Sequence, residues 1–101
     1  MNGFSLATPE QVSKTLAARV KALRLARGWK QVTLAQRSGV SLASLRRFEE
    51  SGKISLQSLL DLAFALNRLD DFETLFQGSP ASSLAELEAG EKRPARKRGR
   101  I

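Results

Sequence analysis

Trp29 to Gly52, WKQVTLAQRSGVSLASLRRFEESG, is the stretch whose reading decides the fold. Its signals are local. A short helix is expected over 31–38, with Leu34 and Ala35 turned inward. Gly39 follows it, where a left-handed residue without a Cβ stops a helix at no steric cost. Val40 is an apolar plug for the turn. Ser41 is an N-cap, because its hydroxyl accepts a hydrogen bond from an otherwise unpaired helix N–H. A second helix then runs to about Ser51. Leu45 and Phe48, three apart, form its buried stripe, and Gly52 is its stop signal.

Two short helices joined by a glycine-containing turn make a helix-turn-helix. Such helices must cross steeply and pack at once, and Ala35 is small enough to permit that approach. Leu34, Val40 and Leu45 then seal the corner. The remaining face of the second helix carries Leu42, Ala43, Ser44, Arg46 and Arg47. Adjacent arginines on a helix that opens with small residues suit insertion into the DNA major groove. The alternative is an ordinary helical hairpin with a solvated basic face.

The longer phrase GWKQVTLAQRSGVSLASLRRFEESGKISLQSLLDLAFAL resembles the DNA-binding domain of the XRE family, which includes the lambdoid phage repressors and Cro. The likeness covers about 16–76. Gln31, Ala35, Gly39, Val40, Leu45, Glu49 and Gly52 fall at the family's motif positions. The resemblance implies a lambda-repressor-like domain. It also implies an ion pair between Arg24 and Glu49, tying the first helix to the recognition helix; independent solvation of the two side chains is the alternative. By similarity to the phage repressors, Leu42, Ala43 and Arg47 occupy positions that reach base edges. Leu42 and Ala43 depart from the glutamines familiar there, so adenine reading by those positions is lost and contact with thymine methyls remains.

Composition sets the outer limits. The chain has 101 residues and 42% hydrophobic content, enough for one small domain and a tail. Its core must be modest, which makes dimerisation a natural supplement. It has no cysteine and no histidine, which removes disulfides, thiolate nucleophiles and the usual zinc sites. No metal or cofactor is expected. No apolar run approaches the ~18–20 residues needed to span a bilayer. The start, MNGFSLATPEQ, lacks the basic and apolar segments of a signal peptide. The expected location is cytoplasmic, at the nucleoid, with no membrane partner. The net charge is +7, with 11 basic and 7 acidic residues in 1–76 and 6 basic and 3 acidic in 77–101. Basicity shared by domain and tail favours a polyanionic partner, nucleic acid before membrane.

Along the chain, residues 1–7 read as a flexible arm, whose Phe4 and Leu6 either cover the domain or dock onto a partner. The domain is expected over 8–76. Thr8, Pro9 and Gln11 form a capping-box helix start. The first helix runs to about Arg27, with Val12, Leu16, Val20 and Leu23 as its core-facing stripe and Gly28 as its end. Trp29 packs where the first two helices meet; base stacking is the alternative. Ser55 caps a fourth helix with a broad apolar face, Leu56, Leu59, Leu60, Ala63 and Leu66, and Phe64 at its edge. Asn67-Arg68-Leu69 turns the chain. Asp70 or Asp71 then caps a fifth helix whose inner side is Phe72, Leu75 and Phe76. Five helices and no strand signal give an all-α fold.

Residues 77–101 read as a linker and basic tail. GSPASS is the linker, and Leu84 to Ala89 could form a helical turn or two, too short to be stable alone. Lys92, Arg93, Arg96, Lys97, Arg98 and Arg100 then form a run in which Pro94 and Gly99 discourage a helix. Three uses compete: contact with DNA phosphates or a narrow minor groove, engagement of a partner together with Leu84 and Leu87, and a purely solubilising role.

Among the DNA-facing candidates, affinity and specificity divide. Lys30, Gln31 and Arg37 are assigned to phosphates, with the N-terminus of the 31–38 helix, which Gln31 opens, as the anion site. Ser41 and Ser44 are assigned there too, with base edges as their alternative. Leu42, Ala43, Arg46 and Arg47 are the base-facing set, the arginines being able to engage guanine O6 and N7 together. One of the two could clamp a phosphate instead. An enzyme is not expected: Glu49 and Glu50 are adjacent on one helix and so point apart, and no glycine-rich phosphate loop is present. A pure protein-interaction module is the other rival. The function that follows is sequence-specific repression of transcription by a homodimer on an inverted repeat in double-stranded DNA. Within that class, SLRRFEESGKISLQSLLDLAFALNRLDDFETLF with a short basic tail is similar to HipB-type antitoxins, which repress their own operon and bind a HipA-type kinase toxin. A stand-alone phage or chromosomal regulator is the alternative.

Overall fold

The computed structural model describes residues 7–78, whose regular elements are all helical, with no strand among them. Expectations for Phe4, Leu6, Leu84, Leu87 and the basic run 92–100 lie outside the described residues. The helices are α1 Pro9–Ala26, α2 Gln31–Ser38, α3 Leu42–Ser51 and α4 Leu56–Ala65, followed by a 3-10 turn, Leu69–Phe72.

Each boundary has a local cause. At the start of α1, the Gln11 N–H donates to Thr8 Oγ1 at 3.1 Å, and the Thr8 N–H donates to Gln11 Oε1 at 3.0 Å. Two orphan donors are thereby paired, and Pro9 sits where its missing N–H costs nothing. At its other end the Gly28 N–H donates to the Leu25 carbonyl and the Trp29 N–H to the Arg24 carbonyl, which fixes Trp29 beside the helix. Gly39 ends α2 with φ at 79°. Ser41 Oγ accepts from the Ser44 N–H at 3.1 Å to open α3, and Ser55 Oγ accepts from the Ser58 N–H at 3.1 Å to open α4. Asn67, with φ at 61°, closes α4: the Arg68 N–H reaches the Ala63 carbonyl at 2.7 Å and the Asn67 N–H the Phe64 carbonyl at 3.0 Å.

α1 packs on α3, and α2 packs on both α3 and α4. At their meeting point Leu34, Leu45, Phe48, Leu62 and Leu66 are almost wholly removed from water. Ala17, Ala35 and Val40 fill the space between them, and Trp29, Leu42 and Ile54 pack on the outside of this core.

The structure corrects the expected helix faces. On α1 the deepest residues are Ala17 and Arg24; Leu16, Val20 and Leu23 are half-buried and Val12 is exposed. On α4 the deepest residue is Leu62, with Ala63; Leu56 and Phe64 are 66% and 72% exposed. The fifth element is one 3-10 turn rather than an α-helix. No aspartate caps it: Arg68 occupies the cap position without a side-chain bond and pairs with Asp71 at 2.9 Å. Phe72 is half-buried, whereas Leu75 and Phe76 are exposed, Phe76 completely so and with φ at 64°. An isolated turn cannot repay helix nucleation without a partner surface to bury its apolar side.

Candidate nucleic-acid interface

The exposed side of α3 is anchored by a buried charge cluster. Arg24 Nε donates to Glu49 Oε2 at 2.8 Å and Arg24 Nη2 to Glu49 Oε1 at 3.0 Å, a two-point contact between α1 and α3. The two side chains are only 7% and 5% exposed. The third arm of the guanidinium, Nη1, donates to the Trp29 carbonyl at 2.9 Å. Arg24 thus binds the start of the helix-turn-helix as well as its second helix, which an unpaired surface arginine could not do.

Gln31 extends this cluster to the surface. Its Nε2 donates to Glu49 Oε1 at 2.9 Å, and its Oε1 lies 3.4 Å from Arg46 Nε, which donates to it. A chain of polar contacts therefore runs from the α1 arginine through Glu49 and Gln31 to an exposed arginine of α3. Sequence reasoning gave Gln31 a phosphate role and missed this structural one, because its partner is 18 residues away and no local pattern marks it. The α2 N-terminus beside it carries no side-chain cap at Lys30. The Thr33 and Leu34 N–H groups bond back to the Lys30 carbonyl. Those of Gln31 and Val32 have no protein acceptor among the described residues, and point positive partial charge outward.

Of the base-facing set, Ala43, Arg46 and Arg47 are exposed on α3. Leu42 is half-buried and packs on the core, so much of its side chain is drawn away from the outer face. Ser41 and Ser44 are exposed but occupied with each other: the Ser41 hydroxyl donates to Ser44 Oγ at 2.9 Å while capping the helix. Lys30 is exposed. Arg37 is exposed too, with its guanidinium 4.6 Å from the centre of the Trp29 ring; Arg27 lies 5.1 Å from the same ring. Trp29 is half-buried between core and guanidinium groups, so its ring serves packing and cation–π contact. Arg27 also donates through Nη2 to the Leu66 carbonyl at 2.7 Å, linking α1 to the end of α4.

A cavity of about 430 Å³ lies where α3 meets α4, lined by Ser44, Arg47, Lys53, Ile54, Ser55 and Ser58. Lys53 and the start of α4 were missing from the sequence-derived set. The signal was present as a lysine and a serine flanking an apolar residue after a helix stop, but nothing local turned them toward Arg47. The tail candidates, Lys92 to Arg100, lie outside the described residues. Among the described residues no helix is long and apolar enough to cross a membrane.

These features form one basic, polar surface. The uncapped α2 N-terminus stands at one side, the exposed face of α3 in the middle, and Lys53 with the α4 start at the other. No curated protein and no solved structure matches the chain. The family model described as helix-turn-helix matches residues 20–72, more than half of the chain, and spans both helices of the corner and the helix that follows. With its corner, its anchored second helix and that match together, the chain belongs to the helix-turn-helix family of XRE type and carries a DNA-binding domain of the kind found in transcriptional regulators.

Proposed function

We propose that this protein is a transcriptional repressor that binds an inverted-repeat operator in its own promoter as a homodimer. The observation that carries the reading is the exposed row Ala43, Arg46 and Arg47 on a helix tied to the core by the buried Arg24–Glu49 pair. A rigidly held helix presenting exposed guanidinium groups suits base-edge recognition. Arg46, drawn toward Gln31 and the open α2 N-terminus, is assigned to a phosphate on that side. Arg47 is assigned to base edges, with Ala43 against a thymine methyl. Lys30, Gln31 and Arg37 neutralise the backbone at one flank and Lys53 at the other. No catalytic step belongs to this role, and its site of action is the nucleoid.

Dimerisation is supported by apolar surface that the described residues do not cover. Leu56 and Phe64 of α4, and Phe76 after the 3-10 turn, are all exposed. Large apolar side chains gathered on an exposed surface mark an interaction site. The finer reading, antitoxin and autorepressor of a HipA-type kinase operon, rests on the family likeness of residues 44–76. Co-purification with the product of a neighbouring kinase-like gene tests it, and failure of the two to associate returns the protein to the stand-alone class.

The decisive test of the main reading is a gel-shift titration at fixed salt against the gene's own promoter and unrelated DNA of equal length. Specific binding about 10³-fold or more tighter than non-specific binding is expected. Equal affinity for both DNAs contradicts sequence-specific repression.

A further inference from the structure

A second concave surface lies away from the basic face. It is a groove of about 650 Å³ between α1, α4 and the 3-10 turn. Leu16, Val20, Leu23, Leu59, Phe72 and Leu75 give it an apolar floor, and no residue of α2 or α3 lines it. The α1 stripe Leu16, Val20 and Leu23, which the sequence assigns to the core, is only half-buried because its outer side faces this groove. Arg19 stands at the rim with no ion-pair or hydrogen-bond partner among the described residues, while Arg68 and Asp71 neutralise each other there. The groove is therefore apolar with one free positive charge.

The chain continues beyond the described residues for 23 positions, 79–101. Only one part of that length matches the groove. Leu84 and Leu87, three apart, would lie on one side of a helical turn, and Ala85 and Ala89 add small apolar surface. Glu86, Glu88 and Glu91 make the same stretch acidic, whereas 92–100 carries six positive charges that Arg19 would repel. Reach is no obstacle. Leu75 already lines the groove, and the nine residues from there to Leu84 span up to about 30 Å when extended. A segment too short to be helical alone gains its order from the surface that buries it.

We propose that residues 84–91 dock in cis into the α1–α4 groove, with Leu84 and Leu87 against its apolar floor and the glutamates toward Arg19. The docked segment completes the hydrophobic core that α1 begins. It also fixes the point from which the basic run 92–100 departs, leaving the α3 face free. This assignment stands independently of what α3 binds.

The chain has no cysteine, so a labelled pair can be introduced cleanly. Lys21→Cys on the exposed side of α1 and Ser82→Cys just before the segment carry spin labels in the full-length protein, diluted with unlabelled chain. A narrow distance distribution that survives dilution, and is lost on adding Leu84→Asp and Leu87→Asp, is the expected result. A broad distribution that the two substitutions leave unchanged overturns docking. A narrow distribution that disappears on dilution assigns the groove to the segment of a second copy, and overturns docking in cis. DNA affinity of the labelled protein, measured in parallel, reports on the α3 face separately.

Discussion

Gly39 and Gly52 share a left-handed backbone, with φ at 79° and 82°, but for different reasons. Nothing lies within 4 Å of a Cβ built on Gly39, so only the backbone conformation excludes a side chain there. A Cβ on Gly52 would stand 2.9 Å from the Ser13 backbone carbon and 3.0 Å from the Lys14 nitrogen, both part of α1. Gly39→Ala should cost about 1–2 kcal/mol, the strain of a left-handed alanine. Gly52→Ala should cost distinctly more, since α1 must also shift off the end of α3. Urea denaturation of the two variants checks this, and equal midpoints would remove the close-approach argument. The Arg24–Glu49 pair has its own signature. Arg24→Ala leaves a buried carboxylate unpaired and should cost about 3–5 kcal/mol. An exposed control, Lys14→Ala, should change stability by about 0.5 kcal/mol or less. A melting-point loss no larger than that of Lys14→Ala would show that the pair contributes little.

At the scale of elements, the helix-turn-helix corner was legible because its signals are short-range. Gly39, Ser41 and Gly52 act on backbone within four residues of themselves, and the alternation of Leu34, Val40 and Leu45 leaves one way to bury all three. The face that α4 turns inward was not legible. Eight of the eleven positions from Leu56 to Leu66 are apolar and are spread over several sides of the helix, so periodicity cannot choose between the side of Leu62 and that of Phe64; packing by α2 makes the choice. The same limit applies to Ala17 on α1, whose small size suits close contact but gives little hydrophobic signal. For the recognition helix, the division of labour predicts distinct phenotypes. Arg47→Ala should cost about 1–3 kcal/mol at the specific site and relax its base preference, while Lys30→Ala should weaken binding to all sequences alike. Competition binding separates the two, and an unchanged specificity ratio for Arg47→Ala would move base reading to another residue.

The molecule as a whole has two unlike faces, a basic one built on α2, α3 and Lys53 and an apolar one built on α1, α4 and the 3-10 turn. The first was largely visible in the sequence, since the arginines and the motif that carries them lie within one short stretch. Part of the second was misplaced: Leu75 and Phe76 follow an apolar spacing that reads as the inner side of a fifth helix. Apolar character alone cannot tell a residue buried within its own chain from one kept for a partner surface. If a second copy covers part of that face, Phe64→Glu or Phe76→Glu should shift the protein toward monomer in analytical ultracentrifugation while leaving its helix content unchanged. Persistence of the dimer in both variants would place the interface elsewhere.

Hydroxyl-radical footprinting on the gene's own promoter tests sequence-specific dimer binding most directly. Two protected half-sites related by a twofold axis, on one face of the duplex and with centres about 34–36 Å apart or a multiple of that, are predicted. Protection spread without preferred position at concentrations that saturate the promoter would contradict it.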